Sequence, residues 1–85
     1  MEVTKVYVKK EEKENSRLIG FAEIILDDCL KIKGIRIIRG DEKIFAAMPS
    51  KRLSNDKNMD YVHPITKELR EKIDTAIKEA YENLD

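Results

Sequence analysis

Ser50, Lys51 and Arg52 stand in consecutive positions behind Met48-Pro49, and His63-Pro64-Ile65 begins eleven residues after Arg52. These residues have the most chemistry to offer. A lysine binds phosphate as a compact point charge, an arginine binds it through a planar fork, and a serine hydroxyl adds a neutral hydrogen bond. A polyanion needs cations that stay accessible, and a projecting basic segment provides them. Arg36, Arg39 and Lys57 are placed to widen such a patch. The expected nucleic-acid contacts are therefore Ser50, Lys51, Arg52, Arg36, Arg39 and Lys57. The same residue types also suit an ordinary solvated surface, so spacing alone leaves both readings open.

Other chemistries find less support. One His and one Cys give no paired-ligand spacing for a metal. Cys29 cannot form an internal disulfide, which fits a reducing compartment. His63 precedes a proline and is biased to extended backbone; it reads as a structural imidazole bonded to backbone beside the entrance of a helix. A Ser50–His63 nucleophile and base would lack both an oxyanion hole and a GxSxG turn. Gly20, Gly34 and Gly40 are isolated, so no phosphate loop is present. Asp27-Asp28 and Asp41-Glu42 are turn formers. No catalytic residue, metal, cofactor or small-molecule substrate is expected.

The bulk properties agree. At 85 residues the chain is one domain, residues 1–85. A domain of that size buries only about 60% of its unfolded surface. Charged residues make up 40% and aromatics 6%, which leaves little material for a deep apolar pocket. Net charge is zero, with 17 residues of each sign, but its distribution is uneven. Residues 30–57 hold eight cations against three anions, and residues 58–85 hold four against seven. The central segment therefore carries +5 and the last segment −3, enough for a local positive field on a neutral protein. No apolar run approaches the ~20 residues that span a bilayer. A soluble, cytoplasmic protein is expected.

The elements that must position these residues are mostly strands. Residues 3–9 alternate with Val6 and Val8 on one face, residues 10–16 are wholly polar, and residues 17–26 are apolar on both faces. Residues 30–39 change phase at Gly34, which predicts a bulge there. Residues 44–52 and 57–63 read as one long hairpin with its tip at 53–56 and Pro49 at an edge or bulge. Thr66 opens a helix over 66–84, with Leu69, Ile73, Ala76, Ile77, Ala80 and Leu84 on one face. The expected fold is α+β: an antiparallel sheet of four to five strands with one C-terminal helix. A single helix covers only one face, so the second strand's other face, or a sheet edge, needs a partner. A second copy across a two-fold axis is the simplest one, which predicts a homodimer.

Several stretches match a known pattern in order. Met1-Glu2-Val3-Thr4-Lys5-Val6 opens it, and Leu26-Asp27-Asp28 with Gly34-Ile35-Arg36-Ile37-Ile38-Arg39-Gly40 forms its centre. Phe45-Ala46-Ala47-Met48-Pro49-Ser50-Lys51-Arg52 is the most specific stretch, and Asp60-Tyr61-Val62-His63-Pro64-Ile65 closes the series. A charged C-terminal helix with Tyr81 fits as well. On these residues the chain resembles the SpoVG family, the stage V sporulation protein G or septation-protein group.

That resemblance implies a small bacterial dimer that binds DNA, and in some members RNA. The implied role is regulation touching sporulation, septation and the control of virulence or surface genes, without enzymatic activity or cofactor. In the family the basic residues after Met-Pro-Ser are tied to nucleic-acid binding, and Lys51 and Arg52 hold those positions. The next position is typically Thr and is Leu53 here; the tip, often Pro-Asp-Gly, is Ser54-Asn55-Asp56. Two functions of different class follow. The leading one is a dimeric nucleic-acid-binding regulator; the alternative is a protein-interaction module of the division or sporulation machinery, recruiting partners by strand addition.

Overall fold

The computed structural model describes residues 1–11, 15–55 and 57–84. Six strands and one helix follow in order: β1 (Val3–Lys10), β2 (Leu18–Leu26), β3 (Leu30–Arg39), β4 (Ile44–Ala47), β5 (Ser50–Arg52), β6 (Asn58–Asp60) and α1 (Lys67–Glu82). Strands β1 to β4 form an antiparallel sheet in sequence order, and β5 and β6 pair in a separate two-stranded sheet. The α+β expectation holds. Of the polar stretch expected as a loop at 10–16, residues 12–14 lie outside the described residues, as does Asp56 in the expected tip at 53–56.

Local sequence explains the central hairpin. Asp27 and Asp28 both adopt left-handed backbone, with φ of 50° and 54°. Short polar side chains tolerate that region better than most, and hairpin turns need it. The Cys29 N–H donates to the Leu26 carbonyl at 2.9 Å and closes the turn. The Thr4 hydroxyl then accepts from the Asp28 N–H at 3.1 Å, fastening the turn to β1. Farther along, Ala22 faces Ile35 but Ile24 faces Ile32, so β3 uses one residue more than β2. The bulge expected at Gly34 is there, at a φ of 77°. It lets Ile32, Ile35 and Ile37 all reach the core despite their change of parity.

The helix covers that core. Ile24, Ile35 and Ile37 from the sheet meet Ile73 and Ile77, and all five side chains are fully buried. Each such burial is worth about 1.5–3 kcal/mol. Thr66 caps α1, its hydroxyl accepting from the Leu69 N–H at 3.1 Å. The buried stripe is Ile73, Ile77 and Tyr81, with Leu69 half-buried. Leu84, expected on that stripe, is exposed beyond the helix end, and Tyr81 closes the face instead.

The long hairpin is where the structure departs from expectation. Its first arm breaks at Met48-Pro49: β4 stays in the main sheet, and β5 leaves to pair with β6. Residues 61–63 are not strand. Pro49 has no N–H to continue a ladder, and Met48 is buried, anchoring the chain just before the departure. The Pro49 carbonyl accepts from the Tyr61 N–H at 2.8 Å, holding the base of the small hairpin together.

Two helix side chains reach the outer edge of β4. The Ala46 N–H donates to Asp74 Oδ1 at 3.1 Å, and Arg70 Nη2 donates to the Ala46 carbonyl at 3.0 Å. Arg70 and Asp74 are themselves 3.5 Å apart. These bonds occupy backbone groups that an edge strand would otherwise present to another chain. β1 forms the opposite edge of the sheet. The sheet face away from the helix carries Tyr7, Phe21, Ile25, Arg36 and Ile38, which are half-buried or exposed. Among the described residues, no helix is long and apolar enough to cross a membrane.

Candidate functional site

The small hairpin follows directly from the break at Pro49. Ser50 lies opposite Asp60, Lys51 opposite Met59 and Arg52 opposite Asn58. The tip is closed by the Leu53 N–H donating to the Lys57 carbonyl at 2.7 Å. Asn55 supports it, its side-chain oxygen accepting from the Lys57 N–H at 3.3 Å. Lys51, Arg52 and Lys57 are all exposed.

A strand places successive side chains on opposite faces. Ser50 and Arg52 therefore share one face with Asn58 and Asp60, and Lys51 shares the other with Met59. Adjacent in sequence, Lys51 and Arg52 diverge in space. Arg36 supplies the second cation on the Arg52 side. From the open face of β3 its guanidinium donates to Ser50 Oγ at 3.3 Å, a half-buried bond that ties the main sheet to the hairpin. Arg36, Ser50, Arg52 and Asn58 line a groove of about 450 Å³. Three of these four are sequence candidates. Asn58 is not; once β5 is paired, its register opposite Arg52 reveals it.

The remaining candidates are distributed differently. Lys57 sits at the hairpin tip, adjoining Asn58. Arg39 ends β3 opposite Ile44, whereas Arg36 lies opposite Ala47. Three residues along a strand is about 10 Å and an odd step, so Arg39 falls on the other face. The structure does not bring it into the groove.

His63 is exposed, and among the described residues its imidazole makes no hydrogen bond, contrary to the expected backbone contact. It borders a different, apolar depression together with Pro64 and Leu69, so Ser50 and His63 do not form a nucleophile–base pair. No cluster of three or more His, Cys, Asp or Glu side chains suited to a metal occurs among the described residues. The groove therefore brings together two guanidinium groups, a hydroxyl and an amide at an open surface. Such donors suit phosphate or base-edge oxygens.

The SpoVG family's sequence pattern matches residues 1–83. The chain belongs to the SpoVG family. Its similarity to individual members extends over almost its whole length. A protein of Fusobacterium nucleatum is 41% identical over 86 residues, covering 100% of this chain and 92% of that one. One from Treponema denticola is 42% identical over 82 residues, covering 96% and 87%. A Finegoldia magna protein is 41% identical over 81 residues, covering 95% and 74%. All three carry the name "Putative septation protein SpoVG". In this SpoVG chain the Met48–Arg52 run falls at the point where backbone leaves the main sheet for the hairpin.

Proposed function

We propose that the chain is a nucleic-acid-binding regulatory protein of the cytoplasm that acts as a homodimer in processes linked to septation and sporulation. The observation that carries this reading is the convergence of Arg36, Ser50 and Arg52 on one groove at the base of an exposed basic hairpin. Lys51 on the other face and Lys57 at the tip add charge that a phosphate backbone can reach. The names of the SpoVG relatives support the link to septation. Dimerisation is supported by the edge of β1, where a second copy can add its own β1, because helix side chains occupy the edge of β4. Two copies double the patch, and avidity raises a modest single-site affinity.

Fluorescence-polarisation titrations of mixed-sequence DNA and RNA across a salt series test the reading. Log affinity should fall with log salt by roughly 0.9 per neutralised duplex phosphate. Replacing Lys51 and Arg52 together by Ala should flatten that slope while the circular dichroism stays unchanged. Absence of binding at low salt would instead favour the protein-interaction module, which the same β1 edge could serve by strand addition.

A further inference from the structure

The face of the main sheet opposite the helix continues the groove. Arg36 belongs to both: it lies opposite Phe21 in the β2–β3 register, and its guanidinium reaches Ser50 in the hairpin. Phe21 in turn lies opposite Lys9, and Tyr7 lies opposite Glu23. Tyr7 and Phe21 are thus diagonal cross-strand neighbours, which sets them about 7–8 Å apart. They line one shallow depression together with Lys9, Glu23, Lys33 and the bulge residue Gly34. Tyr7 is 47% exposed. The chain has only three Tyr and two Phe, so two rings at one open depression are a large share of its aromatic surface.

The charges around these rings have one dominant sign. Among the described residues of β1, β2 and β3, Lys5, Lys9, Lys31, Lys33 and Arg36 share this face with one anion, Glu23. Lys31 lies over the Tyr7 ring, 5.4 Å from its centroid, and 3.9 Å from Glu23, so a base stacking on that side of the ring must displace its ammonium toward the phosphates. A second copy docked face to face would set these cations against their own images, which like-charge repulsion opposes. A polyanion with flat apolar groups satisfies both the charge and the rings. Single-stranded nucleic acid has that chemistry, since every base carries a stackable face and every link a phosphate. Open four-stranded sheets bearing aromatics are used elsewhere to stack unpaired bases.

We infer that this open sheet face is a stacking platform for unpaired bases, with Tyr7 and Phe21 as its rings, so that a strand engaged at the Arg36–Arg52 groove crosses the sheet single-stranded. The inference rests on the nucleic-acid reading above and adds the form of nucleic acid preferred. Duplex cannot use the platform, because its bases are already stacked on one another.

The test compares 12-nucleotide single strands, DNA and RNA, with the matching DNA duplex, by fluorescence polarisation at fixed salt. Wild-type protein should prefer the single strands. Tyr7→Leu should weaken single-strand binding roughly 5- to 150-fold, the range expected for one lost stacking contact, and leave duplex binding within twofold. Tyr7→Trp should restore single-strand affinity, and its indole emission should be quenched on binding. Tyr7 is a half-exposed surface residue, and Phe21→Leu provides a second variant whose fold is checked by circular dichroism. If Tyr7→Leu leaves single-strand affinity unchanged while the Lys51/Arg52 double variant loses it, the platform is refuted and the hairpin reading stands. If neither variant changes binding, both are refuted. A fall in light-scattering mass on Tyr7→Leu, without loss of binding per subunit, would make the face a contact between copies and overturn the inference.

Discussion

Arg36 and Ser50 are joined by a 3.3 Å hydrogen bond across two separate sheets. This bond aims the small hairpin relative to the main sheet, because it is made by side chains rather than by a continuous ladder. Arg36→Ala should loosen the hairpin and remove a groove cation together. Nucleic-acid affinity should fall about tenfold, or about 1.4 kcal/mol, with the salt slope reduced by about one. Arg36→Lys retains the charge without the planar fork and should fall between the two. Global stability should change by about 1 kcal/mol or less in a urea melt.

Lys51 and Arg52 should prove unequal. Arg52 shares the groove with Arg36 and Ser50, while Lys51 lies on the reverse side of the hairpin. Titration of the single Ala variants should show the larger loss for Arg52. Equal losses would mean that both faces of the hairpin are engaged.

The contact of α1 with Ala46 should matter for stability and not for binding. Asp74→Ala leaves the N–H of a fully buried residue without its acceptor. A cost of about 1–3 kcal/mol is expected from that unpaired donor, read as a lower urea midpoint at an unchanged slope. Affinity measured well below the midpoint should stay within twofold of wild type.

Gly34→Ala tests the bulge. An added Cβ meets only the Pro49 Cβ, at 3.6 Å, so space is available. The cost comes from the left-handed backbone, about 1–2 kcal/mol for a residue with a side chain. Gly34→Asn should cost less than Gly34→Ala, since Asn tolerates that region better.

One ion pair should give a pH signature. Glu2 is held below its ordinary value of 4.5, first by the hydrogen bond from Lys72 and then by the lysine's charge. A carboxylate lowered on folding stabilises fully above its unfolded value, and the gain is lost as pH falls through the folded value. Lys72 is raised from 10.5 by the same contact, so its share is complete below that value and lost at more alkaline pH. Glu2→Gln should therefore lower the thermal midpoint slightly at pH 7, and the difference from wild type should shrink as pH falls below the ordinary carboxylate value and Glu2 becomes protonated. The difference should also shrink in high salt, since both groups are exposed.

Much of the fold is legible in the residue pattern because its signals are local. The phase change at Gly34 predicts a bulge, and Asp27-Asp28 predicts a turn whose backbone suits short polar side chains. The break after Ala47 is not legible in that way. Residues 44–48 are apolar and residues 50–52 extended, so they read as one strand with a tolerated proline. The decision is tertiary: Met48 is buried, and α1 holds Ala46. Tyr81 is missed for a related reason, since the register of the helix against the sheet selects it over Leu84. At the site, adjacency makes Lys51 and Arg52 look like a pair, whereas the period of two separates them once β5 is a strand. The same period removes Arg39 from Arg36. The link between Arg36 and Ser50 requires the fold, because the residues belong to different sheets.

The Arg70–Asp74 contact at Ala46 would also limit growth of the proposed assembly. A sheet open at both margins can recruit copies end on end, and nothing in its geometry tells the series to stop. Here side chains of α1 occupy one margin at β4, leaving β1 as the place for addition. In the homodimer proposed above, joined through β1, the outward margins of the pair would both be β4 strands held at Ala46 by the helix. Addition by that route would then end at two copies, because neither outward margin of the proposed pair could take up a further strand at Ala46.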